Sequence, residues 1–167
     1  MKKLITISFL LFAFAMSTSV NAQDYKSAVG LRLGSPWALS YKFFQNERNA
    51  IELYGAFRSY VYSSYFGINA AYQIHNQLGS TSGLKWYYGV GAGVNFYSFD
   101  TGHDLTDGGS TTIVASGYLG LEYTFADAPV SISADWVPTF RITGGDGFGD
   151  RFGADYGALS VRYIINR

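Results

Sequence analysis

The sequence of 167 residues contains no cysteine, only three prolines and two histidines, and few charged side chains. Because cysteine is absent, a disulfide scaffold is excluded, and so is a metal site built from cysteine and histidine. Charged residues make up 14% of the chain, well below the roughly 25% of soluble domains. The net charge is zero, which provides no electrostatic footprint for nucleic acid, so nucleic acid is not an expected partner.

The sequence also lacks a hydrophobic run as long as a transmembrane helix, which needs roughly 20 residues. Its longest apolar run, at 4–16, follows a positively charged start and precedes small residues at 17–22. This layout predicts a secretory signal peptide at 1–22 that is cleaved. No cysteine lies near the predicted cleavage site, so a lipid anchor is not expected. The mature protein is then expected at 23–167, a length that suits one domain.

Aromatic residues and glycines are abundant instead, and they recur with a period of two residues. In one segment Trp37, Leu39, Tyr41 and Phe43 alternate with small or charged residues, which predicts a strand with one apolar face. If the last such strand pairs with the first, the strands close into a barrel without a free edge. Eight segments follow this pattern, at about 26–33, 37–44, 50–60, 65–74, 84–97, 112–125, 129–140 and 154–167.

Charged residues in these segments are confined to one face. The apolar face contains none, and nine charged residues fall in the opposite phase: Lys26, Arg32, Lys42, Glu52, Arg58, Lys85, Glu122, Asp135 and Arg162. A soluble ligand-binding barrel would place its apolar face inside and cover its exterior with charges. The second face is too poor in charge for such an exterior, so we expect it to line the interior and the aromatic-rich face to contact lipid.

The predicted fold is therefore an all-β, eight-stranded antiparallel up-and-down transmembrane β-barrel of the bacterial outer membrane. With both termini in the periplasm, the loops at 34–36, 61–64, 98–111 and 141–153 are extracellular. The turns at 45–49, 75–83 and 126–128 then face the periplasm. Pro138 has no backbone N–H, so we expect a bulge or fraying in the seventh strand.

Seven of the charged residues are candidates for an interior network, because unpaired charges in a narrow barrel are costly. We expect Lys42, Glu52, Glu122 and Arg162 in the periplasmic half and Arg32, Arg58 and Asp135 above them. The glycines of the fifth strand are expected to leave room for large neighbours such as Arg58 and Tyr54. Such a network would form a structural plug, and the alternative is a narrow gated pore.

Three segments carry a resemblance to a known family: Val29-Gly30-Leu31-Arg32-Leu33-Gly34, Asp135-Trp136-Val137-Pro138-Thr139-Phe140 and Leu159-Ser160-Val161-Arg162-Tyr163. They resemble small outer-membrane β-barrel proteins of Bacteroidetes, of the OmpX- or OmpA-like type. The resemblance implies a monomeric barrel, assembly by the barrel-insertion machinery, and contact with outer-membrane lipid and lipopolysaccharide. Many such barrels end on an aromatic residue, whereas this chain ends on Arg167, so the insertion signal would rest on Tyr163.

The two histidines are the candidates for general-base chemistry near neutral pH. His75 is expected in a periplasmic turn, and His103 lies beside Asp104 in an outer loop. Clustered aspartates at 100–107 and 146–150 do not have the spacing of an EF-hand calcium loop. We therefore assign no catalytic, cofactor-binding or metal site. The expected function is a non-enzymatic barrel with a structural or surface-interaction role through loops 98–111 and 141–153, and a lipid-modifying enzyme at the rim is the alternative.

Overall fold

The computed structural model describes residues 25–34, 36–60, 63–99, 108–143, 151–154 and 156–167. The predicted signal peptide, His103 and most of the two long outer loops lie outside these residues. Within the described part of the chain, no helix is both long enough and apolar enough to span a bilayer. The strands are β1 (Ser27–Gly34), β2 (Trp37–Phe44), β3 (Asn49–Tyr60), β4 (Ser63–Gln77), β5 (Leu84–Phe99), β6 (Gly108–Thr124), β7 (Val130–Trp136), β8 (Thr139–Thr143), β9 (Phe152–Gly153) and β10 (Gly157–Asn166).

These strands form a closed eight-stranded antiparallel barrel. Strands β1 to β7 pair in chain order, and β10 pairs with both β7 and β1, which closes the ring. Strand β8 continues the seventh strand along β6, and β9 pairs with β8 just before β10 begins. At the closing seam Leu31 lies opposite Val161 and Leu33 opposite Leu159. The predicted fold class is confirmed in its strand number, its pairing and its closure.

The barrel has two ends, which differ in their connections. At one end, called here the terminal end, lie the first described residue, Tyr25, the C-terminus and the turns after β2, β4 and β6. At the other, the loop end, lie the short β1–β2 turn and the strand ends Tyr60, Phe99 and Thr143. Gly83, in the β4–β5 turn, has a φ of +81°, a conformation that glycine adopts without steric cost.

The two faces of the sheet are sharply different. Large apolar side chains such as Leu39 and Val90 point outward and are 58% and 68% exposed. On the inward face, Lys42, Glu52 and Arg162 are completely buried. The structure therefore places the apolar face outside, as predicted from the low charge content of the second face. Lys26 is an exception to the predicted phase, because it precedes β1 and is exposed.

Several predicted boundaries are wrong because polar inward residues resemble turn residues. Strand β4 continues to Gln77, so the following turn is shorter than predicted and His75 lies within the strand. Strands β5 and β6 also extend beyond their predicted ends, to Phe99 and from Gly108. The last strand begins at Gly157 rather than at 154.

The seventh strand is interrupted at Pro138, as its missing N–H predicts, but no bulge lies there. Leu119 pairs with Trp136 and Ser116 with Thr139, so the pairing advances three residues on each strand across the break. The register with β6 shifts further on, where Ile142 is the extra residue. Pro138 therefore interrupts the strand without changing its register.

The seam can be tested by cross-linking, because the natural chain contains no cysteine. We expect a Leu31→Cys/Val161→Cys variant to form a disulfide, since these residues are directly opposite across the seam. Gel migration with and without reductant is the measurement. In the matched control, Leu31→Cys/Ile132→Cys, the second cysteine is one strand further on, roughly 10 Å away and beyond disulfide reach. Equal cross-linking of the two variants would contradict the closed ring.

Candidate functional site

The centre of the lumen contains a cluster of six charged residues from six strands, called here the charge cluster. Its members are Arg32 (β1), Lys42 (β2), Glu52 (β3), Glu122 (β6), Asp135 (β7) and Arg162 (β10). Every one of them is at least 92% buried. Three positive and three negative side chains balance, which suits an interior where an uncompensated charge is strongly unfavourable.

Glu52 is the centre of one half of the charge cluster. Its Oε2 accepts hydrogen bonds from Nη1 of Arg32 at 3.1 Å and from Nε2 of Gln73 at 2.9 Å. Its Oε1 accepts a hydrogen bond from Nη2 of Arg162. The carboxylate therefore joins side chains of β1, β4 and β10 to β3 through charge-assisted bonds, which are the stronger class of hydrogen bond.

Arg32 extends this half toward the loop end. Its Nη2 donates to Oδ1 of Asp135 at 2.9 Å, while the hydroxyl of Tyr87 donates to Oδ2 of the same carboxylate at 2.7 Å. The guanidinium also lies 4.8 Å from the ring centre of Tyr54, a cation–π distance. A cross-lumen chain of contacts thus runs from Arg162 through Glu52 and Arg32 to Asp135.

The other half of the charge cluster surrounds Glu122, nearer the terminal end. Nζ of Lys42 lies 2.5 Å from Oε2 of Glu122, and the hydroxyl of Tyr25 donates to Oε1 at 2.5 Å. Lys42 also lies 4.6 Å from the ring centre of Tyr87. Both carboxylate oxygens of Glu122 are therefore engaged.

An apolar cluster, called here the apolar cap, lies at the terminal end of the lumen beneath the charge cluster. Its buried residues are Tyr25, Ala28, Phe44, Ala50 and Ile164. The rings of Tyr25 and Phe44 meet edge to face with centroids 5.0 Å apart, a favourable aromatic geometry. Because the hydroxyl of Tyr25 binds Glu122, this one side chain links the cap to the charge cluster.

His75 lies inside the lumen, which corrects its predicted place in a turn. Its ring is stacked on that of Tyr87 at 4.8 Å and tilted against that of Phe44 at 4.9 Å. Its Nε2 is 3.4 Å from Oε2 of Glu122. These surroundings make His75 a packing residue between the cap and the charge cluster. Among the residues that the structure describes, no group of three or more His, Cys, Asp or Glu is placed to hold a metal ion.

Glycines make room for the aromatic side chains that cross the lumen. A Cβ at Gly120 would lie 2.6 Å from Cζ of Tyr87, and a Cβ at Gly91 would lie 2.9 Å from the ring of Tyr118. The prediction that the fifth-strand glycines accommodate Arg58 and Tyr54 is therefore wrong in its partners. Tyr118 occupies that space instead, and its hydroxyl is 2.6 Å from that of Tyr54.

Above the charge cluster the lumen opens into a cavity of about 510 Å³ at the loop end, called here the vestibule. Arg32 and Tyr54 lie at its floor, next to the charge cluster. Arg58 lines its wall and is not a member of the charge cluster. The residues that line it include Tyr65, Asn69, Asn95, Tyr97, Ser116, Thr139, Arg141, Arg151, Tyr156 and Ala158.

Comparison with known proteins identifies one similar architecture. No family model matches the chain, and no curated protein matches its sequence. The crystal structure of Neisserial surface protein A (NspA) matches with a TM-score of 0.53 over 83% of this chain and 92% of that one. The likeness shows the fold. At 15% identity it transfers no residue role, and the resemblance to Bacteroidetes barrels stays a prediction.

The sequence pattern places Gln73 and Tyr87 on the inward face but does not single them out as partners of the charged residues, and it misses Tyr25 and His75 as lumen residues. A signal is available for His75, because it continues the inward phase of β4 beyond Gln73. Tyr87 was in the inward phase of β5 and was not singled out because it carries no charge. Tyr25 had no signal, since it lies two residues before the start of β1.

The central place of Glu52 leads to a stability prediction. Glu52→Gln keeps the size of the side chain but removes the carboxylate partner of the buried Arg162 guanidinium and one of the two carboxylates that bind Arg32. Breaking a buried ion pair from one side costs about 3–5 kcal/mol, and we expect a loss of this size in the free energy of unfolding. Urea titration of the refolded protein in detergent micelles, followed by tryptophan fluorescence, measures it.

Arg48→Gln is the matched control, because Arg48 lies in an exposed turn and its guanidinium contacts only Asn76 among the described residues. It should leave the urea midpoint almost unchanged. The double variant Glu52→Gln/Arg162→Gln should lose less than the sum of its single variants, because the two residues are directly coupled. Full additivity would show that the pair does not act as a unit.

Proposed function

We propose that this protein is an integral β-barrel of the bacterial outer membrane, with a closed polar interior and no enzymatic activity. One observation carries the proposal. All nine charged residues of the described strands face the lumen, and the outward face consists of exposed apolar and aromatic side chains. Water is a poor solvent for an apolar face of this extent, and lipid is a good one. A soluble ligand-binding barrel would have the opposite arrangement.

Aromatic side chains on the outward face support the same environment. Trp37, Phe57, Phe66 and Phe96 lie at successive register positions on β2, β3, β4 and β5, toward the loop end. Toward the terminal end, outward pairs include Tyr41 with Phe43 and Trp86 with Tyr88. Aromatic girdles at both edges of an apolar band are typical of outer-membrane barrels.

The proposed orientation places the terminal end in the periplasm and the loop end outside the cell. Strands β5 and β6 are the longest of the described strands. Loop 98–111 joins them, and a loop at this end of the barrel would be able to contact another molecule outside the cell. The solved barrel that this chain resembles is named a surface protein. Loops 98–111 and 141–153 are the proposed contact surfaces, with lipopolysaccharide as neighbour, an extracellular ligand still to be identified, and a monomeric barrel as the working unit.

A lipid-facing exterior makes a depth-dependent prediction. Val90 lies at the middle of β5 and is 68% exposed, while Ile142 lies near the loop end and is 51% exposed. In lipid vesicles Val90→Arg should lower stability by about 2–4 kcal/mol and Ile142→Arg by about 0–1 kcal/mol. Urea titration in vesicles distinguishes them. Equal effects of the two variants, or a wild-type protein that stays soluble without detergent, would refute the membrane location.

A closed interior predicts the absence of conduction. The charge cluster crosses the lumen and the apolar cap lies beneath it, so purified protein in planar bilayers should show no stable channels. The triple variant Tyr25→Ala/Glu52→Ala/Arg162→Ala removes side chains from both layers without changing the net charge, and it should conduct. Heat-modifiable gel migration verifies that the variant is folded. Reproducible wild-type channels would establish the narrow pore instead.

A further inference from the structure

The turn between β2 and β3 carries two adjacent residues of opposite charge. Glu47 and Arg48 are both exposed at the terminal end. Within the described part of the chain no ion pair includes either residue, and the Arg48 guanidinium contacts only Oδ1 of Asn76. The charge cluster balances without this pair, so the interior of the barrel does not explain it.

The backbone of this turn is held in place on both sides. Oδ1 of Asn46 accepts hydrogen bonds from the N–H groups of Arg48 at 3.0 Å and of Asn49 at 2.9 Å. The backbone N–H of His75, on β4, donates to the carbonyl of Arg48 at 2.7 Å. The side chains of Glu47 and Arg48 therefore start from fixed Cα positions, which lie about 3.8 Å apart in consecutive residues.

Two N–H donors beside this turn have no acceptor. Asn76 on β4 and Trp86 on β5 lie directly opposite each other on the outward face. Nδ2 of Asn76 and Nε1 of Trp86 are covered by protein atoms and have no hydrogen-bond partner. Such donors are unfavourable until an acceptor completes them. Because Arg48 contacts the same amide, a guanidinium, an amide and an indole N–H lie together here.

The outward surface becomes apolar from this point toward the middle of the barrel. The ring of Trp86 is stacked on that of Tyr88 with centroids 5.5 Å apart. Tyr72 and Val90, the next outward pair toward the loop end, are both exposed. Charged groups, then aromatic rings, then apolar side chains therefore follow one another, as headgroup, interface and acyl chains do in a phospholipid.

We propose that Glu47, Arg48, Asn76 and Trp86 form a site for a phospholipid whose headgroup carries a phosphate and a primary amine. The guanidinium would bind the phosphate through paired hydrogen bonds. The phosphate oxygens would replace Oδ1 of Asn76 as the partner of Arg48 and supply the acceptors that the amide and the indole lack. The carboxylate of Glu47 would bind the ammonium group, and it would repel a headgroup that is only anionic.

This site rests on the membrane location proposed above, which places the terminal end in the periplasmic leaflet. Native mass spectrometry of the protein purified in detergent counts the lipids that each molecule retains. The probes are phosphatidylethanolamine, phosphatidylglycerol and phosphatidylcholine with the same acyl chains. We expect phosphatidylethanolamine to be retained best, because the glycerol headgroup has no amine and the choline ammonium has no N–H to donate.

Substitutions separate the two halves of the headgroup. Arg48→Gln should weaken the binding of both phosphatidylethanolamine and phosphatidylglycerol about tenfold, because each lipid loses a charged donor to its phosphate. Glu47→Gln should weaken phosphatidylethanolamine alone about tenfold and remove the preference for it. Trp86→Phe keeps an aromatic ring but removes the indole N–H, and it should weaken both lipids about threefold.

Arg151→Gln and Asp127→Asn are the matched controls, because they remove the same charges from other exposed positions. Both should retain phosphatidylethanolamine like the wild type, and heat-modifiable gel migration verifies that every variant is folded. Equal retention of the three lipids, tighter retention of phosphatidylglycerol, or equal weakening by Arg48→Gln and Arg151→Gln would overturn the proposal. The vesicle measurements on Val90→Arg and Ile142→Arg test the membrane location separately, so lost selectivity with an intact depth dependence would remove this site alone.

Discussion

Glu52 accepts hydrogen bonds from side chains of three other strands, and the interior of the barrel depends on that one buried carboxylate. Two of its partners, Arg32 and Arg162, stand on β1 and β10, the strands that meet at the closing seam. These ion pairs therefore tie both strands of the closing seam to β3. Because the charges balance only as a set, removal of one member leaves others buried and unpaired.

The two faces of the barrel wall differ chemically: ion pairs and aromatic packing lie inside, and apolar side chains lie outside. Within the lumen a second separation runs along the axis. The apolar cap lies at the terminal end, the charge cluster at the centre and the vestibule at the loop end. Apolar packing, ion pairs and an open cavity therefore follow one another along the barrel axis.

Alternation with a period of two is sufficient to predict eight strands, their antiparallel closure and the inward phase of eight of the nine charged residues, with Lys26 the exception. It worked best where turn residues bound a segment sharply, as at Trp37–Phe44, which the structure reproduces. It failed at the end of β4. His75, Asn76 and Gln77 are polar, and the inward face of this strand is also polar, so composition alone does not distinguish these residues from a turn.

The contacts inside the lumen were less predictable than the faces. Phase shows which side chains point inward, but register decides which of them meet, and register depends on where each turn places its strands. Thus Arg32, predicted with Arg58 and Asp135 above the other four residues, binds both Asp135 and Glu52 directly, while Arg58 lines the vestibule. Tyr25 has no place in an alternating pattern, yet it contacts both the cap and Glu122.

The pairing of β1 with β10 also dictates when this protein can fold. Leu31 pairs with Val161, which is 161 − 31, or 130, residues later in the chain. Until that last strand has been synthesised, the backbone donors and acceptors along one edge of β1 have no partner, and neither Arg32 nor Glu52 has its full set of ion pairs. Contacts between such distant residues form slowly and late. The ring can therefore close only after β10 has been made, and that closure also brings Arg162 to Glu52.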